Sequence, residues 1–212
     1  MKREHKTINE TPLPNGYTRL NYLEATGAQS IGTGYYVGNK KTRIVCEMTK
    51  TGSWDNGVFF GCTSNNDNQW FFSPFFPSSG NPSGNMMVYM LGYGYSLATY
   101  HKFNEPTTFD FTIDIPNRTF SGGFVNGPNS ASGYRAALGT IANSELHIFS
   151  SWRGYLQNCI NAKLASFMIY ENDVLVHNYI PALRDADSKP GLYDVVANEF
   201  KVNKGSGEFR YA

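Results

Sequence analysis

The stretch "FDFTIDI", residues 109–115, alternates strictly: Phe109, Phe111, Ile113 and Ile115 are apolar, and Asp110, Thr112 and Asp114 between them are polar. Successive side chains of a strand point to opposite faces, so this run predicts a strand with one face in a core and the other in solvent. "PNR" (116–118) ends it, because Pro116 has no N–H to give a ladder. "TFSGGFVNG" (119–127) then reads as the returning strand, kinked at its glycines.

The same grammar recurs on both sides. "KLASFMIY" (163–170) and "VLVHNYI" (174–180) flank the polar turn Glu171, Asn172 and Asp173, which predicts a second hairpin. "RIVCEM" (43–48) sets Ile44, Cys46 and Met48 against Arg43, Val45 and Glu47. "GVFFGC" (57–62), "NMMVYML" (85–91) and "ELHIFSSW" (145–152) have strand length and composition. Near the end, "GLYDVVANEF" (191–200) predicts a closing pair of strands. No segment carries a capped apolar stripe of helical period, and only "TRLNYLEAT" (18–26) suggests a helical turn. Many short antiparallel strands without helices predict an all-β sandwich or barrel.

Bulk composition agrees. Aromatic residues make up 15% of the 212, with 21 Gly and 10 Pro, which suits pleated surfaces joined by tight turns. A net charge of +1 argues against a phosphate-binding surface, so nucleic acid is not an expected partner. Cys46, Cys62 and Cys159 form no close pair and no metal spacing, which predicts reduced thiols and no zinc. The polar opening "MKREHKTINETPLP" lacks the apolar run of a secretory signal, and no later run is long enough to span a membrane. The expected organisation is a mobile lead-in over 1–12 followed by one domain over 13–212.

Both ends of the chain also resemble a known module. "LPNGYTRLNYLEATGAQSIGTGYYV" (13–37) is similar to the opening, and "KLASFMIYENDVLVHNYIPALRDADSKPGLYDVVANEFKVNKGSGEF" (163–209) to the ending, of concanavalin A-like, laminin-G-like jelly rolls. Such modules occur in phage virion proteins and in surface proteins of gut bacteria. The resemblance implies an antiparallel β-sandwich (concanavalin A-like jelly roll) whose first and last strands lie together. Gly191 and Asp194–Asn198 would then shape the final turn, with Leu192, Tyr193 and Phe200 as core plugs. It also implies glycan binding, adhesion or particle decoration rather than a defined chemistry.

Tests for chemistry are negative. No paired-carboxylate run of the Glu-x-Asp-x-x-Glu type appears, and Asp110 and Asp114 read as a solvated outer face. His5, His101, His147 and His177 are scattered; His147 and His177 fall in strands and are expected to point away from the core. "RDADSK" (184–189) begins like a calcium loop but lacks its glycine and closing acid, so no cofactor is expected; calcium has no motif, although the resemblance leaves open a site assembled from separate loops. The chain reads as a non-enzyme.

The most suggestive segment is "NNDNQWFFSPFFPSSGNPSGNMMVYMLGYGYS" (65–96), where aromatic rings sit among Asn, Ser and Gly. Sugars stack their C–H faces on such rings while amides hold their hydroxyls. Trp70, Phe72, Tyr93 and Tyr95 are therefore candidate ligand contacts, with Trp152, Arg153 and Tyr155 from "SSWRGYLQN". Core packing and a protein–protein interface are the competing readings of the same residues. The expected function is a non-catalytic virion-surface module, on tail or capsid, binding host or mucosal glycans. A structural virion protein assembling through its aromatic loops and an adhesin module on a bacterial cell surface are the alternatives. Expected partners are a glycan or another virion protein, without membrane, and homo-oligomers stay open.

Overall fold

In the computed structural model, residues 11–51, 57–63, 70–74, 83–90, 93–102, 104–125, 130–134, 144–152 and 155–212 are described, and for 70–74, 83–90, 93–102, 130 and 131 the description is of backbone only. The predicted lead-in falls largely on residues 1–10, outside the described residues.

The alternation at 109–115 becomes the strand Thr107–Asp114, with Phe109, Phe111 and Ile113 each at most 2% exposed. It pairs on one side with Thr119–Phe124 and on the other with Lys41–Lys50. From there an eleven-stranded sheet extends through Asn161–Glu171, Val174–Arg184, Lys189–Asp194 and Glu199–Lys201. A six-stranded sheet runs Ile31–Tyr36, Glu145–Ile148, Phe60–Cys62, Trp70–Pro74, Ser83–Met90, Tyr93–Lys102. Every strand pair is antiparallel, and no helix occurs among the described residues.

The two sheets share one core. Ile44, Phe109, Phe111, Phe167 and Ile169 of the larger sheet pack with Ile31, Phe60, Leu146 and Ile148 of the smaller. Phe60 meets Phe167 edge-on at 5.2 Å between centroids. Each buried ring contributes about 2–3 kcal/mol by removal of apolar surface from water. The sandwich follows because each sheet has one apolar face and nothing else to cover it.

Local chemistry shapes the hairpins. Asn172 and Asp173 take φ of 49° and 67°, the two-residue turn whose twist matches that of its strands, so Glu171 stays in its strand and leaves the turn to these two. Gly122 takes φ of 153°, and a Cβ there would lie 2.4 Å from the Asp110 carbonyl oxygen, so only glycine fits this crossing.

The chain ends lie together, as the resemblance implied: Arg210–Tyr211 pairs with Leu23–Thr26, and Tyr17–Arg19 pairs with Val174–Arg184. The predicted closing strands are Lys189–Asp194 and Glu199–Lys201, turning over Val195–Asn198. Two local expectations are corrected. The 18–26 segment forms strands rather than a helical turn, because its backbone is taken up by the neighbouring edges. Of the three expected core plugs Leu192 enters the core between the sheets; Tyr193 is buried too, at 4% exposure, but on the opposite face with half-buried Phe200, against Tyr17 at 4.6 and 5.2 Å.

Candidate binding groove

Because Ile44, Phe111 and Phe120 face the core, the residues between them face outward. Register then assembles a polar row across five strands: Ser132, Ser121, Thr112, Arg43 and Tyr170 lie successively opposite one another. The neighbouring row is Gly123, Asp110, Val45 and Met168. Val45 is 2% exposed although it lies on the outer face, so this face is sheltered rather than bare.

A groove of about 790 Å³ opens over these rows. Its centre is a fork: Arg43 donates from Nε to Asp110 Oδ1 at 2.7 Å and from Nη2 to Oδ2 at 2.5 Å. The guanidinium also lies 5.1 Å from the centroid of the Tyr170 ring, which fixes its plane from below. The Asp110 hydrogen bonds outweigh burial and raise the Arg43 pKa further above its ordinary value, so the cation is permanent. At one end Lys41 donates to Asp173 at 2.7 Å. Thr112 and Ser121 line the wall with hydroxyls, Gly122 and Gly123 with bare backbone, and Val125 with apolar surface. The groove therefore offers fixed donors, fixed acceptors and an apolar strip side by side, the mixture that a polyhydroxylated ligand requires.

A second constellation lies on the outer face of the smaller sheet. Leu146 and Ile148 enter the core, so His147 between them points away from it, as expected, yet it is only 1% exposed. Trp152 covers it, stacked at 4.9 Å with 8° between the planes. Ser30 Oγ lies 2.8 Å from His147 Nδ1 and 2.6 Å from Ser150 Oγ, and Glu145 Oε2 lies 3.5 Å from Nε2. Burial pushes the His147 pKa down to about 4, against the opposing pull of Glu145. This serine–histidine–carboxylate set is sealed beneath a ring, and it holds the fold rather than meeting solvent. His177 departs from expectation: it shares a face with Tyr179, stacks on that buried ring, and pairs with fully buried Asp194 at 2.5 Å. The expected outward orientation fails because a strand bordering the core can hold a polar ring there once a carboxylate satisfies it.

The sequence candidates divide. Trp70 and Phe72 lie in register opposite Cys62 and Phe60, and Tyr93 and Tyr95 continue the same two rows through Met90 and Val88. All four are strand positions of the smaller sheet, and their side chains lie outside the described residues, as does Arg153. Trp152 is half-buried on His147, and Tyr155 is exposed, its hydroxyl accepting from Gln157 Nε2 at 2.7 Å. Trp152 and the Arg43 groove occupy opposite outer faces of the sandwich, so one small ligand cannot touch both. Arg43, Thr112 and Ser121 were not singled out from sequence; the alternation of "RIVCEM" and "FDFTIDI" puts them on outer faces, but nothing local says that those faces adjoin. Among the described residues, no three His, Cys, Asp or Glu side chains converge as a metal site would require.

The chain matches no protein-family model, and no curated protein is significantly similar to it in sequence. Among solved structures it superposes on a Bacteroides ovatus protein described as a candidate carbohydrate-binding protein, with a TM-score of 0.60, 11% identity and 92% of this chain covered. It spans 60% of the length of that neighbour. The enzymatically active domain of tailspike protein 2 from bacteriophage CBA120 matches with a TM-score of 0.51 and 11% identity, over 77% of this chain and 30% of that one. At such identities the likeness is one of fold, and the fold is a jelly-roll-like antiparallel β-sandwich.

Proposed function

We propose that this chain is a non-catalytic carbohydrate-binding module of concanavalin A-like type, displayed on a virion surface, and that its glycan seats in the groove over Arg43, Asp110 and Thr112. The observation that carries the reading is the groove itself: a guanidinium–carboxylate fork held rigid by Tyr170, flanked by hydroxyls and bare glycine backbone. Preorganised polar groups of this kind bind sugars without first giving up side-chain freedom. The description of the Bacteroides ovatus neighbour supports glycan binding, and the tailspike likeness supports a place on a phage particle.

The tailspike domain is enzymatically active, which favours glycan cleavage as a second reading. Cleavage needs one carboxylate free to protonate the leaving oxygen and another to act opposite it. Here Asp110 is held by Arg43 and Asp173 by Lys41, which favours binding over cleavage.

A glycan array of the purified protein tests the proposal. Arg43→Ala is expected to abolish binding while leaving the protein folded, and Trp152→Ala to leave binding intact. The opposite pattern would move the site to the smaller sheet, and silence from a folded wild type would refute glycan binding. Release of new reducing ends from a bound glycan would establish the enzyme instead. Mass spectrometry of purified particles checks the virion assignment, which fails if the chain is absent from them.

A further inference from the structure

We infer that the groove selects neutral, hydroxyl-rich pyranoses and discriminates against sialylated, uronic or sulfated glycans; the inference rests on the groove being the glycan site. Among the described residues four charged side chains line it, and each cation already faces a carboxylate: Arg43 with Asp110, and Lys41 with Asp173. The lining thus has no unbalanced positive charge to offer an anion.

Geometry points the same way. Arg43 presents Nε and Nη2 to Asp110, so the two groups form one planar unit with a donor edge and an acceptor edge side by side. A pair of neighbouring sugar hydroxyls both donates and accepts, and so satisfies both edges at once. A carboxylate or sulfate only accepts. To reach the guanidinium it must displace Asp110, leaving that half-buried carboxylate beside a second anion, or approach with Asp110 in place and be repelled by it. Thr112 and Ser121, neutral groups that can donate or accept, extend the same preference along the wall. Asp110 is thereby the specificity-determining residue: it converts an arginine that would otherwise capture acids into half of a hydroxyl-pair clamp.

The test uses the full chain, wild type and Asp110→Asn, against neutral oligosaccharides and their sialylated, uronic and sulfated counterparts on the same cores. Wild type is expected to bind the neutral set at least about tenfold more tightly, a margin equivalent to about 1.4 kcal/mol. Its affinity should change less than about twofold between roughly 0.05 and 0.5 M salt, since no net charge is matched. Asp110→Asn is expected to lose about tenfold on neutral glycans and to gain salt-sensitive binding to the acidic ones, because Arg43 is released. Thr112→Val, which alters no charge, should weaken neutral binding without opening the groove to acids, and it serves where Asp110→Asn does not fold. Tighter wild-type binding to acidic glycans, or an Asp110→Asn profile identical to wild type, overturns the inference while leaving a glycan site in place. Silence of the folded wild type toward both sets removes the glycan reading itself.

Discussion

Lowering the pH should destabilise this protein through one buried ring. His147 is 1% exposed, beneath Trp152 and beside Ser30 and Glu145. Burial lowers its pKa from an ordinary 6.5 to about 4, and nearby Lys204 adds to the effect while Glu145 opposes it. The unfolded chain therefore takes up a proton near pH 6.5 that the folded chain refuses until near pH 4. Stability is unaffected above that window, falls by up to about 1.4 kcal/mol per pH unit within it, and levels off below it. The accumulated loss is about 2 kcal/mol by pH 5 and about 3 kcal/mol once both states are protonated, a sizeable part of an ordinary domain's total. Glu145, whose carboxyl Lys204 and the Gly34 N–H hold below its ordinary 4.5 despite burial, begins to lose its stabilising contribution only below about pH 4.5, beneath the span down to pH 5 on which the comparison rests. Urea unfolding followed by tryptophan fluorescence from pH 7.5 to 4.5, on wild type and His147→Asn, isolates the ring. Asn offers an acceptor near the Nδ1 position and no titration, and the other histidines cancel in the difference. The variant should be less stable at pH 7.5 yet lose about 2 kcal/mol less on going to pH 5. Parallel curves would refute the account of His147 as a ring held neutral by burial.

Three further outcomes follow from particular contacts. Gly122→Ala should destabilise by about 1–3 kcal/mol, since its Cβ would strike the Asp110 carbonyl and Phe111; an unchanged urea midpoint would contradict this. Tyr179→Phe should cost about 1–2 kcal/mol, because the fully buried hydroxyl donates to the Thr33 carbonyl at 2.7 Å and its removal orphans that acceptor; thermal melting checks it. Asp194→Asn should cost about 2–4 kcal/mol at pH 7 by breaking a buried pair with His177. Burial alone would raise the Asp194 carboxyl, but His177 and the N–H groups of Asn178, Val196 and Ala197 bring it below its ordinary 3.8. That stabilisation is complete above pH 3.8 and fades as the pH falls further, so the cost of the variant should shrink in acid; a cost that grew would reverse the sign of the argument.

Period-two alternation was enough to identify the strand at 107–114, because a half-buried strand must write its two faces into its own residues, while two apolar runs about a polar turn identified those at 161–171 and 174–184. Turn chemistry located the hairpins, since Asn172–Asp173 and Pro116 act within a few residues of themselves. The aromatic run at 65–96 drew attention through composition, which does not distinguish a ring in a core row from a ring on a ligand. His177 shows the same limit, for its alternation was legible but its partner Asp194 lies on the next strand.

What the chain determined by itself was therefore local: strand identity, turn positions, the outer placement of Arg43 and Asp110, and through them an antiparallel β-sandwich. The tertiary structure alone decided that the Lys41–Lys50 strand pairs with Thr107–Asp114, 67 residues from Arg43 to Asp110, and so created the fork. It also decided that Trp152 closes over His147 instead of standing in the groove. The physical reason is that strand pairing is chosen by burial of whole faces against one another, a property of the assembled sheets that no single segment carries.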